Sequence, residues 1–254
     1  MKKAIAFLYG IVAYLIFLGT FLYAIAFVGD FLVPKTINSG TEIDFWPALG
    51  VDVALMTLFA LQHSVMARPG FKRWWTKFVP KPIERSTFVL LSSLALILLY
   101  WKWVPMKTVV WEVSSPVGIV ILYVLFALGW LIVLLATFMI NHFDLFGLKQ
   151  VYEYLKNIES KPVEFKLTLF YRIVRHPIML GFIIAFWATP VMTLGHLIFA
   201  VTTTLYILVA ISYLEESDLV KMHGEKYREY QKKVPKILPF PRKNNKKREA
   251  HRTI

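Results

Sequence analysis

Cysteine is absent from the 254 residues. That excludes disulfides, thiolate metal sites, iron–sulfur clusters and a cysteine nucleophile together. It also excludes a relay through the chain's own thiol. Charge is scarce: 18% of residues are charged, against about a quarter in soluble domains. The scarcity is concentrated. Ala4–Gly29, Val113–Phe143 and His176–Leu214 contain no Asp, Glu, Lys or Arg. Each exceeds the ~20 residues needed to cross a ~30 Å hydrocarbon core. These runs exclude a soluble globular protein and a disordered one. Acidic residues are few, and the formal charge is +13. In a membrane protein that excess is expected to face the cytoplasm and anionic lipid, so no nucleic-acid partner is expected. No internal repeat is visible.

What is present is an all-α, polytopic integral-membrane helical bundle of about six spans. Lys2-Lys3 resembles a signal-peptide n-region, but the apolar stretch that follows outruns the usual ~7–15-residue h-region. It reads as a first span, about Ala4–Val28. Phe45–Val65, Thr87–Val104 and Val117–Ile140 are the next three, with Trp101 and Trp103 read as an interfacial aromatic belt. His176–Leu214 as one helix would be ~58 Å long. Thr189-Pro190 to Gly195 supply breakers, so it is expected to fold into a C-terminal helical hairpin. The basic loops alternate with loops nearly free of Lys and Arg. The positive-inside rule then places both termini in the cytoplasm of a bacterial inner membrane. Lys149–Lys166 alternates charge with Tyr152, Tyr154, Leu155 and Ile158, the pattern of an amphipathic helix on the membrane surface. The chain divides into an N-terminal bundle (1–148), a hairpin and cofactor segment (149–240) and a basic, mobile tail (241–254).

Polar groups gather at one end of these spans: His63, then Asn141-His142-Phe143-Asp144, then Arg175-His176-Pro177, then Glu215-Glu216. Topology puts them on one face. Carboxylates, cations and imidazoles beside lipid suggest a site for a polar, charged cofactor. Each also has a plainer reading: snorkelling for Arg175, a first-turn proline for Pro177, a solvated span end for the Glu pair, an interhelical hydrogen bond for His63. Asp52 and His196 lie toward the other face and His223 in the tail, and none is placed in the site.

The ordered series Arg175-His176-Pro177-x-x-x-Gly181, a hairpin of some forty residues, Glu215-Glu216, Gly224, Tyr227, Tyr230 and Val234-Pro235 resembles the integral-membrane methyltransferases typified by isoprenylcysteine carboxyl methyltransferase. The resemblance covers roughly residues 164–240. It implies binding of S-adenosylmethionine (SAM) without a Rossmann domain, in line with the lack of a Gly-rich dinucleotide loop. It places Tyr171, Arg175, His176, Pro177, Ile178, Met179, Gly181, Glu215, Glu216 and Tyr227 at the cofactor, with Glu215 at its charged end and no metal. The chain departs from that pattern twice. Met179 stands where Tyr is usual, and Ile211 where the prenylcysteine enzymes carry an Arg. The second departure argues against a carboxylate substrate. Gln62-His63-Ser64-Val65-Met66-Ala67-Arg68-Pro69, Glu84-Arg85 and Asn141-His142-Phe143-Asp144-Leu145-Phe146-Gly147-Leu148 are similar to bacterial methanethiol S-methyltransferases and nitrite-reduction-associated membrane proteins.

This resemblance implies S-methylation of a small thiol, with methanethiol giving dimethyl sulfide. A small alkyl thiol is mostly protonated at neutral pH, so a base is needed. The candidates are His142, Asp144 and His63, with His142 paired to Asp144 favoured. Two readings stand beside this one. A methyltransferase of the same class would take a lipid-like acceptor: an isoprenylated carboxylate, a phospholipid or an isoprenoid. A non-enzymatic component would bind haem through His63 and His142. Membrane lipid and the small substrate are the expected partners, with no obligate protein partner.

Overall fold

The computed structural model describes residues 2–159 and 168–239. Its α-helices, in chain order, are α1 (Lys3–Gly29), α2 (Phe45–Met66), α3 (Pro69–Trp75), α4 (Lys81–Lys102), α5 (Pro116–Ile140), α6 (His142–Leu145), α7 (Leu148–Lys156), α8 (Leu169–Ile173), α9 (Pro177–Trp187), α10 (Leu194–Val209), α11 (Glu216–His223) and α12 (Glu225–Lys233). A π-helical segment, Ala210–Glu215, joins α10 to α11. The continuous helix Leu194–His223 and α1, α2, α4 and α5 are each long and apolar enough to cross a membrane. The fold is a helical membrane bundle, as the charge-free runs require.

α1 shows how such a sequence packs in lipid. It buries Ala6, Gly10, Ala13 and Thr20 and exposes Leu8, Val12, Leu15 and Leu22. Large apolar chains gain nothing by leaving lipid tails, whereas small residues let helices approach closely. Gly10 faces Val151 of α7, where a Cβ would lie 2.5 Å from Val151 Cγ2. α7 is therefore docked on α1, with Val151 fully buried. The expected short amphipathic helix is present, with its apolar face turned onto α1. Of the expected stretch Lys149–Lys166, residues 160–166 fall outside the described residues.

α9 is only 11 residues long, about 16 Å at 1.5 Å per residue. An extended stretch completes its path, where β2 (Val191–Thr193) pairs antiparallel with β1 (Val109–Glu112). This small ladder has no counterpart in the all-α expectation. α9 and α10 form the expected hairpin, for His176 at the start of α9 meets Glu215 at the end of the π segment. α9 is held to α5 by glycine: a Cβ on Gly129 would sit 2.7 Å from Gly181 O and 2.7 Å from Ala185 N. Only bare backbone fits there.

The core lies where α1, α2, α4, α5, α9 and α10 meet, around Phe27, Tyr100, Trp103, Trp130, Phe186 and Phe199. Trp103 is 2% exposed and its indole N–H donates to Ile37 O at 3.0 Å. It is a core residue, contrary to its reading as interfacial. Trp101 does face outward, with Lys102 Nζ 3.8 Å from its ring centroid.

Candidate functional site

The Glu pair sits at the exit of the π segment. The amide of Glu216 bonds to Ile211 O, five residues back, rather than four. A π turn of this kind rotates every following side chain relative to an unbroken α-helix, and such turns recur at functional sites. Here it separates the roles of two adjacent carboxylates. The Glu216 side chain is 10% exposed and held on all sides. Its Oε1 accepts from Arg175 Nη2 at 2.7 Å and from His176 Nε2 at 3.2 Å. Its Oε2 accepts from Gln231 Nε2 at 3.1 Å and lies 3.8 Å from Lys236 Nζ. Glu215 is 43% exposed, with its Oε2 3.5 Å from His176 Nδ1.

His176 thus has a carboxylate at each ring nitrogen, and an imidazole can donate from both nitrogens only when protonated. Burial opposes that charge, but the bonds to Glu215 and Glu216 outweigh it and lift the pKa above the ordinary 6.5. Backbone pairing fixes its position: Arg175 N donates to Pro235 O at 2.9 Å and His176 N to Lys236 O at 3.2 Å. The segment after α12 returns to this point because Gly224, at φ 59° and ψ −132°, breaks α11 from α12. That conformation is open to glycine and costly for other residues. Tyr227, Tyr230 and Val234 then pack on Leu219 and Val220. Tyr230 donates to Tyr171 O at 2.5 Å, and Tyr171 donates to Ala136 O at 3.5 Å. Burial, reinforced by the charge of Glu215, raises the Tyr171 phenol.

Glu215 opens onto a cavity of about 360 Å³ between the end of α2 and the start of α11. It is lined by Ala67, Arg68, Pro69, Lys72, Asp218, Leu219 and Met222 besides Glu215 itself. Two contacts join the front of the chain to the back across this seam. Arg68 Nη1 meets Asp218 Oδ2 at 2.8 Å, and the hydroxyls of Ser64 and Tyr206 are 2.9 Å apart. Sequence reasoning did not place Arg68, Asp218, Ser64 or Tyr206 in the site. Only Arg68 and Ser64 carried a signal, as members of the quoted α2 stretch.

Of the other sequence candidates, Pro177 and Gly181 are buried, while Ile178 and Met179 are partly buried on α9. Met179 packs on the cluster of Ile207, Ile211 and Ile237. The two departures from the prenylcysteine pattern therefore lie in one apolar patch.

The expected His142–Asp144 pair does not form. α5 stops at Ile140, and Asn141 at φ 170° and ψ 88° turns the chain before α6. Asp144 Oδ1 then accepts from Gln150 Nε2 at 2.9 Å. His142 points inward, 6% exposed and stacked on Phe138 at 4.2 Å. Thr137 Oγ1 donates to Leu134 O at 2.7 Å, so it accepts from His142 Nδ1–H at 2.8 Å. Tyr14 O–H then donates to Nε2 at 2.8 Å. Both nitrogens are committed, and burial lowers the pKa. His63 differs. Its Nδ1 is 3.3 Å from Ser92 Oγ, its ring stacks on Phe59 at 5.3 Å, and it is half-buried one helical turn before Ala67.

Comparison with known proteins gives a consistent set of relatives. The family model described as NnrU protein matches residues 53–237. A methanethiol S-methyltransferase of Crocosphaera subtropica is 52% identical, over 94% of this chain and 94% of its own. Methanethiol S-methyltransferase 1 of Bradyrhizobium diazoefficiens is 56% identical, over 94% of this chain and 84% of its own. The methanethiol S-methyltransferase of Mycobacterium tuberculosis is 53% identical, over 96% of this chain and all of its own. No solved structure matches. The match to the family model over most of the chain, and near full-length identity above one half with these relatives, place this protein in the NnrU family together with the methanethiol S-methyltransferases.

Proposed function

We propose that this protein transfers a methyl group from SAM to methanethiol, releasing dimethyl sulfide, in the bacterial inner membrane with both termini cytoplasmic. Relatives of that name support the reaction. The observation that carries the site is the division of labour between neighbours: Glu216 is consumed by four partners, while Glu215 faces the cavity. Residues 149–240 supply most of the cofactor site and 1–148 the acceptor side, with the end of α2 and the start of α3 closing the cofactor cavity through Arg68 and Lys72.

The donor set fits the cofactor's chemistry. SAM carries an ammonium, a sulfonium and a carboxylate. Glu215 offers a carboxylate to the positive end, Arg68 and Lys72 offer cations to the negative end, and Leu219 and Met222 supply apolar wall. Tyr171, His176, Pro177, Ile178 and Met179 continue the binding surface beside Glu215. Arg175, Gly181, Glu216 and Tyr227 hold that surface in place. They build its ion network, its α5 contact and its α12 packing.

His63 takes the thiol proton. With Nδ1–H donating to Ser92, its Nε2 keeps a lone pair, whereas both His142 nitrogens are occupied. His142 and Asp144 act on the acceptor side as wall and turn. When bound, SAM supplies an electrophilic methyl. Held by Glu215, Arg68 and Lys72, that methyl would be open to a thiolate formed at His63, and its transfer would leave two neutral thioethers. Two opposite charges vanish in this step. A site poor in water disfavours the separated ions more than the transition state in which they cancel.

The test is one incubation of the detergent-purified protein with methyl-labelled SAM, methanethiol and a bacterial lipid extract. Labelled dimethyl sulfide in the headspace is expected, dependent on both thiol and protein. Label recovered only in the lipid would overturn the choice of acceptor, and no transfer at all would overturn the activity.

A further inference from the structure

A second cavity, of about 460 Å³, opens on the Glu216 network and is lined by Arg175, Glu216, Arg228, Gln231, Lys232 and Lys236. Four cations face one carboxylate, and that carboxylate is already shared by Arg175, His176 and Lys236. Arg175 is 2% exposed, with Nη1 on Gln231 O and Nη2 on Glu216, and its Nε has no hydrogen-bond partner among the described residues. Arg228 and Lys232 lie no closer than 3.7 Å and 3.8 Å to Glu225, and all three side chains are more than half exposed. Such solvated pairs hold their partners weakly. The sequence beyond Pro239 has one acidic residue, Glu249, against six Lys and Arg, so its own charge is strongly positive.

We infer that this pocket binds a phosphate-bearing anion. Guanidinium and ammonium groups converging on one concavity match the multiple oxygens of a phosphate. At the basic end of a membrane protein the source is either an anionic lipid headgroup or a free phosphate. Arg175 and Glu216 also brace the donor site, but neither the methyl donor nor the thiol requires Arg228, Lys232 or Lys236. An anion here adds negative charge against Arg175, one residue from His176, and so braces the wall of the donor site.

The full chain is reconstituted in nanodiscs of phosphatidylcholine, with and without phosphatidylglycerol, and titrated calorimetrically with inorganic phosphate and separately with SAM. Saturable phosphate uptake is expected in phosphatidylcholine discs. R228Q/K232Q, two exposed positions, should weaken it about tenfold and leave SAM affinity unchanged. Loss of phosphate uptake in phosphatidylglycerol discs supports the site with a lipid headgroup as occupant. Equal uptake in both supports the site with a soluble anion. No saturable uptake in phosphatidylcholine discs, or uptake indifferent to R228Q/K232Q, overturns the proposal. Parallel loss of SAM affinity overturns it also, by making the pocket part of the donor site.

Discussion

Arg175 Nη2 meets Glu216 Oε1 at 2.7 Å, with the two side chains 2% and 10% exposed. The pair ties the start of α9 to the start of α11. The hairpin thereby closes at the end where the π segment presents Glu215.

Breaking that pair leaves an uncompensated buried charge. Glu216→Gln is expected to destabilise the protein by about 3–5 kcal/mol, read as a lower midpoint in thermal unfolding in detergent. Glu215→Gln, at a half-exposed position, should shift the midpoint little. Equal losses in the two variants would contradict the division of roles.

Two histidines set opposite limbs of the pH–stability profile. Burial opposes the charged form of His176, but its bonds to Glu215 and Glu216 outweigh that and raise its pKa above 6.5. Its contribution is full below the unfolded value and is lost as pH rises through the folded one. His142 is buried neutral with its pKa below 6.5. Its contribution is full above the unfolded value and is lost as pH falls toward the folded one. Thermal midpoints measured across pH should therefore fall on both sides. His176→Gln should flatten the alkaline limb and His142→Asn the acid limb.

The α5–α9 contact tolerates no side chain. In Gly129→Ala the new Cβ meets backbone at 2.7 Å on two atoms, and backbone cannot rotate away. A cost of about 1–3 kcal/mol is expected. Because His176 caps the start of α9, SAM affinity should fall with stability, as calorimetry on the variant would show. Gly19→Ala is the control, since a Cβ there meets nothing within 4 Å.

The choice of proton acceptor separates by kinetics. His63→Asn should lower kcat by about 100-fold, the scale of a lost general base, with SAM affinity unchanged. Tyr14→Phe removes a bond to His142 only and should cost stability more than turnover. A larger kcat loss in Tyr14→Phe than in His63→Asn would return the base to His142.

The spans were legible because a bilayer imposes its demand on composition over some twenty residues, and Ala4–Gly29 or Val113–Phe143 meets it without any neighbour's help. The gathering of His63, His176 and Glu215 at one end followed from the same topology. Contacts set by single backbone turns were not legible. Nothing in Ala210–Glu215 as a string marks an i→i+5 bond, yet that bond decides which Glu is open. Positions two apart point apart on a continuous helix, so a His142–Asp144 pair required a helix end at Asn141; that end is present, yet it sends Asp144 to Gln150. Trp103 looked interfacial by position, and its N–H found Ile37 O in the loop after α1. The seam of Arg68 with Asp218 joins residues 150 positions apart, a distance that periodicity does not reach.

The central claim is that Glu215 grips the methyl donor from the open side of a closed ion network. Equilibrium titration of SAM into the purified wild-type chain and Glu215→Gln measures it directly. The account predicts saturable binding by the wild type and at least about tenfold weaker binding by the variant, about 1.4 kcal/mol, with the thermal midpoint preserved. Equal affinity in the two proteins, or no binding by the wild type, would contradict it.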